Sequence, residues 1–379
     1  MRSKATAGII GGAIVIVLVV LLGVAYFSRS TGFNPFGGST VEVRGIVGSE
    51  KADFFRDPEV IALFEKHDLA VTVDTAGSWE MGRKPGLTET YDFAFPASDV
   101  AGRRIQQENP DATRSVSTPF FSPIAIATFQ PVLDVLAQNG VATKVGDTWQ
   151  IDMDAYLALV SQDTRWNQLA GSEAYPSSRS VLFSSTDIRS SNSAGMYMAL
   201  ASYSLNGDEV VSTPEQASAQ VDQLSRLFIG QGYAQSSSAG PFERYLSRGA
   251  GEAPLVVIYE GQFFAEQARE NSRITDQMVL AYPSPTIFST HTGVTFSEGG
   301  DAVMQLLSED PEFARLLAEH GFRTSGPNAG VFDQVVAEHG LQGSYRPAGE
   351  FVDLAQMPSY EIMTYLLETI GSRYEIQTP

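Results

Sequence analysis

From residue 41 onwards the chain alternates short apolar runs with amphipathic ones. That alternation predicts an α/β domain in which strands and helices follow one another. Val41–Val47 alternates with period two, and an amphipathic segment from about Ala52 to His67 follows it. Within that segment Asp57-Pro58 is a helix start signal, because Asp caps and Pro suits the first turn. Leu69–Thr75 and Tyr91–Phe95 read as the next strands, and a β-α-β-x-β opening points to parallel pairing through crossovers. Thr118–Ala127 is extended and apolar but contains Pro119 and Pro123. A similar segment, 278–285, contains Pro283 and Pro285. Proline is tolerated at strand edges and starts, so both read as crossovers between subdomains. The chain is expected to form two lobes joined by two strands, with 41–125 and 278–379 in the first and 126–277 in the second. Between the crossovers, helices are expected at 132–139, 153–161 and 194–205, with strands at 180–185 and 255–260. The tail after 297 reads as mostly helical, with helices starting at Asp310-Pro311, at Val331 and at Ser359, the last ending at Gly371. The Ala-Glu-His-Gly echo at 318–321 and 337–340 is helix termination, with Gly at the cap.

The N-terminus breaks the pattern. Ala7–Phe27 is a run of 21 residues without a charge. At 1.5 Å per residue such a run reaches about 31 Å, the thickness of a bilayer's hydrocarbon core. Arg2 and Lys4 precede it, which keeps residues 1–6 in the cytoplasm and exports the rest. Its length favours an uncleaved single-span anchor over a signal peptide, whose apolar core is shorter. Residues 28–40, rich in Gly and Ser with Asn34-Pro35, read as a flexible tether.

Composition narrows the chemistry. The 379 residues contain no cysteine, which excludes disulfides, zinc-thiolate and iron–sulfur sites, a thiol nucleophile and an N-terminal lipid on Cys. The net charge is −19. Residues 1–40 hold Arg2, Lys4 and Arg29 and no acid, so the exported part is more acidic still. Such a field favours solubility and argues against a nucleic-acid surface. Sequence signatures of hydrolases, zincins, P-loops and dinucleotide folds are missing, and the four histidines are scattered, so neither catalysis nor a metal or cofactor is expected.

Specific strings then carry a resemblance. Ser185-Thr186-Asp187-Ile188-Arg189-Ser190-Ser191-Asn192-Ser193, with Met196-Tyr197-Met198-Ala199 after it, resembles a segment of bacterial solute-binding proteins. So do Ile258-Tyr259-Glu260-Gly261-Gln262-Phe263 and the return segment Tyr282-Pro283-Ser284-Pro285-Thr286 with Thr290-His291-Thr292. The chain is similar over 41–379 to the type 2 periplasmic (extracellular solute) binding proteins. The resemblance implies a two-lobed fold with two crossover strands, behind one transmembrane helix, and a ligand held between the lobes at strand–helix junctions. It also implies an ABC-type permease or a membrane sensor as partner.

Three junctions have suitable residues, since helix N-termini offer free N–H groups and hydroxyls add donors. At the first, Ser49 donates and Lys51 brings a positive charge; the plainer reading makes Ser49 an ordinary cap. At the second, Ser78 donates and Trp79 shapes the pocket, or else Trp79 closes the lobe core. The third carries Arg189, Ser190, Ser191, Asn192 and Ser193, denser in donors than one cap requires, with an Asp187–Arg189 surface pair as the alternative. Ser98, Asp99, Thr118 and Tyr259 stand at further strand ends and are weaker candidates. The reading is a membrane-anchored, extracytoplasmic protein that captures a small polar ligand, with the donors leaning towards an anion or a polyol. The rival reading is an exported scaffold that keeps the fold without transport.

Overall fold

The computed structural model describes residues 40–232 and 234–377. The proposed anchor at 7–27 and most of the tether lie outside them. Among the described residues no helix is long and apolar enough to cross a membrane.

Ten strands form one mixed sheet: β1 (Val41–Val47), β2 (Leu69–Thr75), β3 (Phe93–Phe95), β4 (Ser115–Phe129), β5 (Ala142–Val145), β6 (Thr148–Asp152), β7 (Leu255–Tyr259), β8 (Met278–Ser284), β9 (Phe288–Thr295) and β10 (Arg323–Thr324). The main path runs β2-β1-β3-β9-β4-β8-β6-β5, while β7 and β10 also pair with β4. Strands β1, β2 and β3 are parallel, as the opening pattern predicts. Strand β4 organises the rest. Its N-terminal part pairs antiparallel with β9, and its C-terminal part with β7 and β8. The sheet therefore has two halves that share one strand.

Helices of eight or more residues are α1 (Pro58–Lys66), α2 (Asp99–Glu108), α3 (Gln130–Gln138), α4 (Met153–Ser161), α5 (Asn192–Leu205), α6 (Pro214–Ile229), α7 (Ala239–Arg248), α8 (Glu260–Gln267), α9 (Glu298–Glu309), α10 (Pro311–Glu319), α11 (Val331–Glu338) and α12 (Tyr360–Gln377). In the first half, period-two alternation sends Val43 and Val47 to one face of the sheet and Ile46 to the other. Val43 and Val47 join Phe54, Phe64, Phe93 and Phe313 in one core, and Ile46 joins Met81, Ala94 and Ile105 in a second. Burying one such phenylalanine is worth about 1.5–3 kcal/mol. The second half has a larger core around β7 and α5, where 12 of the 14 residues of α5 are buried.

Four local expectations change. The helix expected from 52 to 67 is two helices, because Asp57 is extended (φ −64°, ψ 127°) and its carboxylate caps the N–H of Glu59. The strand expected at 180–185 is reduced to single bridges at Ser180 and Ser184. Ser184 pairs with Leu255 and Val257, but the N–H of Ser185 turns to the Gln231 side chain at 2.6 Å, which ends the ladder. The third strand begins at Phe93 rather than Tyr91. The last helix runs through Gly371, where the missing side chain leaves room for Cγ of Arg189. This helix, α12, lies along α6 and also touches α5 and α2, so a segment grouped with the first lobe packs on the second.

Candidate functional site

Three strand–helix junctions meet across a cleft of about 290 Å³ between the two halves of the sheet. One wall is 48–50, after β1, with 75–80, after β2. The other is 190–192, at the start of α5, with 236–238 and Tyr259. Among the residues expected from the sequence, Ser49, Ser78, Ser190, Ser191, Asn192 and Tyr259 line this one cleft.

Gly48 caps the turn Ser49–Lys51, Gly77 caps the short helix Ser78–Met81, and Ser191 caps α5. None of the three forms a side-chain cap hydrogen bond. The first N–H groups of a helix have no acceptor within it, and the first residues of these three starts, Ser49, Ser78 and Asn192, all line the cleft. Gly77 is needed where it stands: a Cβ there would come within 2.5 Å of the Ser190 carbonyl on the opposite wall.

The two walls are tied together through Ala97, in the loop after β3. Its N–H donates to Ser78 Oγ (2.9 Å), which leaves the Ser78 hydroxyl hydrogen to donate elsewhere. Its carbonyl accepts from Asn192 Nδ2 (3.0 Å) and Ser289 Oγ (2.7 Å). Asn192 Nδ2 also donates to the Tyr259 hydroxyl (3.1 Å). That fixes the amide's orientation and leaves Asn192 Oδ1 buried without a protein partner. Burial, reinforced by the nearby Glu50 carboxylate, pushes the Tyr259 hydroxyl far above its ordinary range, so it stays neutral. Behind the wall, Ser193 Oγ lies 2.7 Å from Thr186 Oγ1 and 3.2 Å from Ser191 Oγ, and so positions Ser191.

The remaining expected residues lie elsewhere. Lys51 does not offer its charge to the cleft. It is fully buried, with Nζ bonded to Glu50 Oε1, 2.9 Å from His291 Nδ1 and 5.0 Å from the Phe95 ring centre. Burial lowers the Lys51 pKa and Glu50 partly restores it. Burial, then the Lys51 charge, holds His291 well below its ordinary value. Arg189 is turned onto Asp187, with Nε 2.9 Å from Oδ1. Burial alone would raise the Asp187 pKa, but hydrogen bonds from Arg189 hold it below the usual range. Trp79 is buried against the start of α5, its ring 5.8 Å from that of Tyr360. Thr118 is exposed, at the register shift of β4 between Ser117 and Phe120. Ser98 caps α2, and Asp99 pairs with Arg103 at 3.2 Å.

The structure adds residues that the sequence reading passed over. Ser236, Ser237 and Ser238 line the second wall. A run of serines ahead of a helix containing Pro241 was a usable signal. Glu50 and Glu80 bring carboxylates into the lining, which among the described residues contains no Lys, Arg or His.

No family model matches the chain, and no curated protein matches it. Solved structures do. A putative spermidine/putrescine ABC transporter protein from Listeria monocytogenes aligns with a TM-score of 0.57 at 15% identity, over 88% of this chain and 99% of that one. A periplasmic thiamin-binding protein aligns with a TM-score of 0.56 at 13% identity, over 91% and 99%. The sulfate-binding protein SubI from Mycobacterium tuberculosis H37Rv aligns with a TM-score of 0.51 at 14% identity, over 86% and 96%. At such identities the likeness is one of architecture: the chain has the fold of the type 2 periplasmic substrate-binding proteins.

Proposed function

We propose that this protein is an extracytoplasmic solute-binding protein that captures a small polar ligand in the cleft between 48–50, 75–80, 190–192 and 236–238. Capture uses backbone N–H groups and serine hydroxyls, and the loaded form is read by an ABC-type permease or a membrane sensor. The observation that carries the reading is the convergence of three helix starts without side-chain cap hydrogen bonds on one cleft, tied across it by Asn192 and Ala97. Solved structures of this fold described as sulfate- and thiamin-binding, or as part of a spermidine/putrescine transporter, support a binding role rather than a catalytic one. Retention at the membrane by an uncleaved helix at 7–27, with the folded part outside, rests on the apolar run in the sequence.

The lean towards an anion rested partly on Lys51 and Arg189. Both charges are satisfied internally, so the ligand meets N–H groups, hydroxyls and the carboxylates of Glu50 and Glu80. The proposal is tested by thermal denaturation with sulfate, phosphate, thiamin and spermidine, on the native protein and on Ser191→Ala. A shift with one of them that disappears in the variant supports capture at this cleft. A shift that survives in the variant removes the site assignment.

A further inference from the structure

The second half of the molecule contains a cavity of about 350 Å³ that shares no lining residue with the cleft. It lies between 179–185, the end of α6, the first turns of α7 and the loop 252–254 that leads into β7. Its size falls within the roughly 300–1,000 Å³ of small-molecule sites. It stands where the strand expected at 180–185 stops. The N–H of Ser185 turns to Gln231 there, and the Ser185 hydroxyl is buried without a partner. Trp166 lines the same cavity. It is fully buried, its ring is perpendicular to that of Tyr175 at 5.0 Å, and its indole N–H has no acceptor. A buried donor left unsatisfied costs about 1–3 kcal/mol, so two on one cavity call for an acceptor. The cleft has one such atom, Asn192 Oδ1, and it can only accept.

The charges around the cavity point the same way. Arg244 is half-buried in its wall, and its guanidinium makes no hydrogen bond or ion pair among the described residues. Arg179 donates to the carbonyls of Gly251 and Glu252, 3.0 Å each, which leaves its charge uncompensated. Glu252 is the one carboxylate of the lining; it is exposed and pairs with neither arginine. Two cations against one anion leave a single net positive charge. The rest of the wall is largely apolar, with Leu182, Phe183, Pro241, Ala253 and Pro254.

We propose that this cavity is a second binding site, for a small organic monocarboxylate. Arg244 takes the carboxylate, because a guanidinium's planar fork matches that group. The Trp166 N–H and the Ser185 hydroxyl donate to it as well, and the carbon body lies against Leu182, Pro241 and Pro254. An inorganic dianion such as phosphate exceeds the single net charge and has no body to cover the apolar wall. Calorimetry on the intact protein compares propionate, benzoate and inorganic phosphate, with Arg244→Gln and Ser191→Ala as variants. Arg244→Gln removes no hydrogen bond of the fold, which an unchanged Tm without ligand verifies. At least one carboxylate is expected to bind more tightly than phosphate and to keep its affinity in Ser191→Ala. Arg244→Gln is expected to weaken it about tenfold or more, the loss of a charge-assisted hydrogen bond. On the native protein, binding is also expected to shift the indole N–H resonance of Trp166, identified by its disappearance in Trp166→Phe. Phosphate bound as tightly as both carboxylates overturns the ligand class. Affinity that survives Arg244→Gln, or a Trp166 resonance that does not move, overturns the site. Affinity lost in Ser191→Ala assigns the binding to the cleft and overturns it too. Binding of neither carboxylate overturns the proposal while leaving capture at the cleft untouched.

Discussion

Two polar clusters stand where the halves of the sheet meet, and they are built on opposite terms. At the junction of β10 and α8, Arg323 and Glu260 are buried and fully paired. Nε lies 2.6 Å from Oε1 and Nη2 2.9 Å from Oε2, while Tyr282 donates to the same carboxylate and Arg323 also reaches the Arg346 carbonyl at 2.7 Å. At the cleft, the hydroxyls and N–H groups face one another with capacity left over, and Asn192 Oδ1 has no partner. A buried charge without compensation is expensive, so the closed network reads as architecture. Polar groups with spare bonding capacity at helix starts read as a place for a ligand. Density of polar residues does not separate the two; mutual pairing of the Arg323 and Glu260 charges does, even though Arg346 Nε beside them has no partner.

The comparison breaks most sharply at Arg323. Arg323→Met leaves Glu260 buried and uncompensated and is expected to cost about 3–5 kcal/mol, measured by urea denaturation. A loss under about 1 kcal/mol would mean that the network is not structural. Ser78→Ala stands between the clusters, because its hydroxyl both faces the cleft and accepts from Ala97. It is expected to cost about 1–3 kcal/mol, from the unsatisfied N–H, and to weaken ligand binding as well. Ser191→Ala should cost under about 1 kcal/mol, since Ser191 makes no cap bond, yet abolish ligand-induced stabilisation. If Ser191→Ala instead destabilises the protein as much as Ser78→Ala does, the cleft serines are structural like the junction.

A further effect concerns pH. His291 beneath the cleft is held below its ordinary value of 6.5, so the unfolded chain binds a proton there that the folded chain refuses. Stability therefore falls as pH drops below about 6.5, by at most about 1.4 kcal/mol per pH unit from this residue. His291→Gln should make the decline of Tm between pH 7 and pH 5 shallower. Parallel curves would show that His291 does not drive it.

The legible part of the molecule was local. Alternation at Val41–Val47 gave the first strand, Asp57-Pro58 gave the start of α1, and Pro119 and Pro123 fell in β4, the one strand that the two halves share. Serines at strand–helix junctions pointed to the cleft, because a cap position is visible in a short string. What escaped was pairing over distance. Lys51 looked like a ligand contact because nothing near it in the sequence shows His291, 240 residues later, beside its amine. Glu260 and Arg323, 63 residues apart, are likewise invisible as partners. The hairpin β5–β6 and helix α6 were also passed over, although Gly146-Asp147 and Thr213-Pro214 are ordinary turn and cap signals. Direction of side chains, rather than their type, decided which candidates reached the cleft.

The most direct measurement is native mass spectrometry of the protein purified from its own cells, alongside Ser191→Ala prepared in the same way. Capture between the two walls predicts a stoichiometric small-molecule adduct on the native protein that is absent from the variant. A native protein without any adduct, whose stability also responds to none of the probes, would contradict it, as would an adduct retained unchanged by Ser191→Ala.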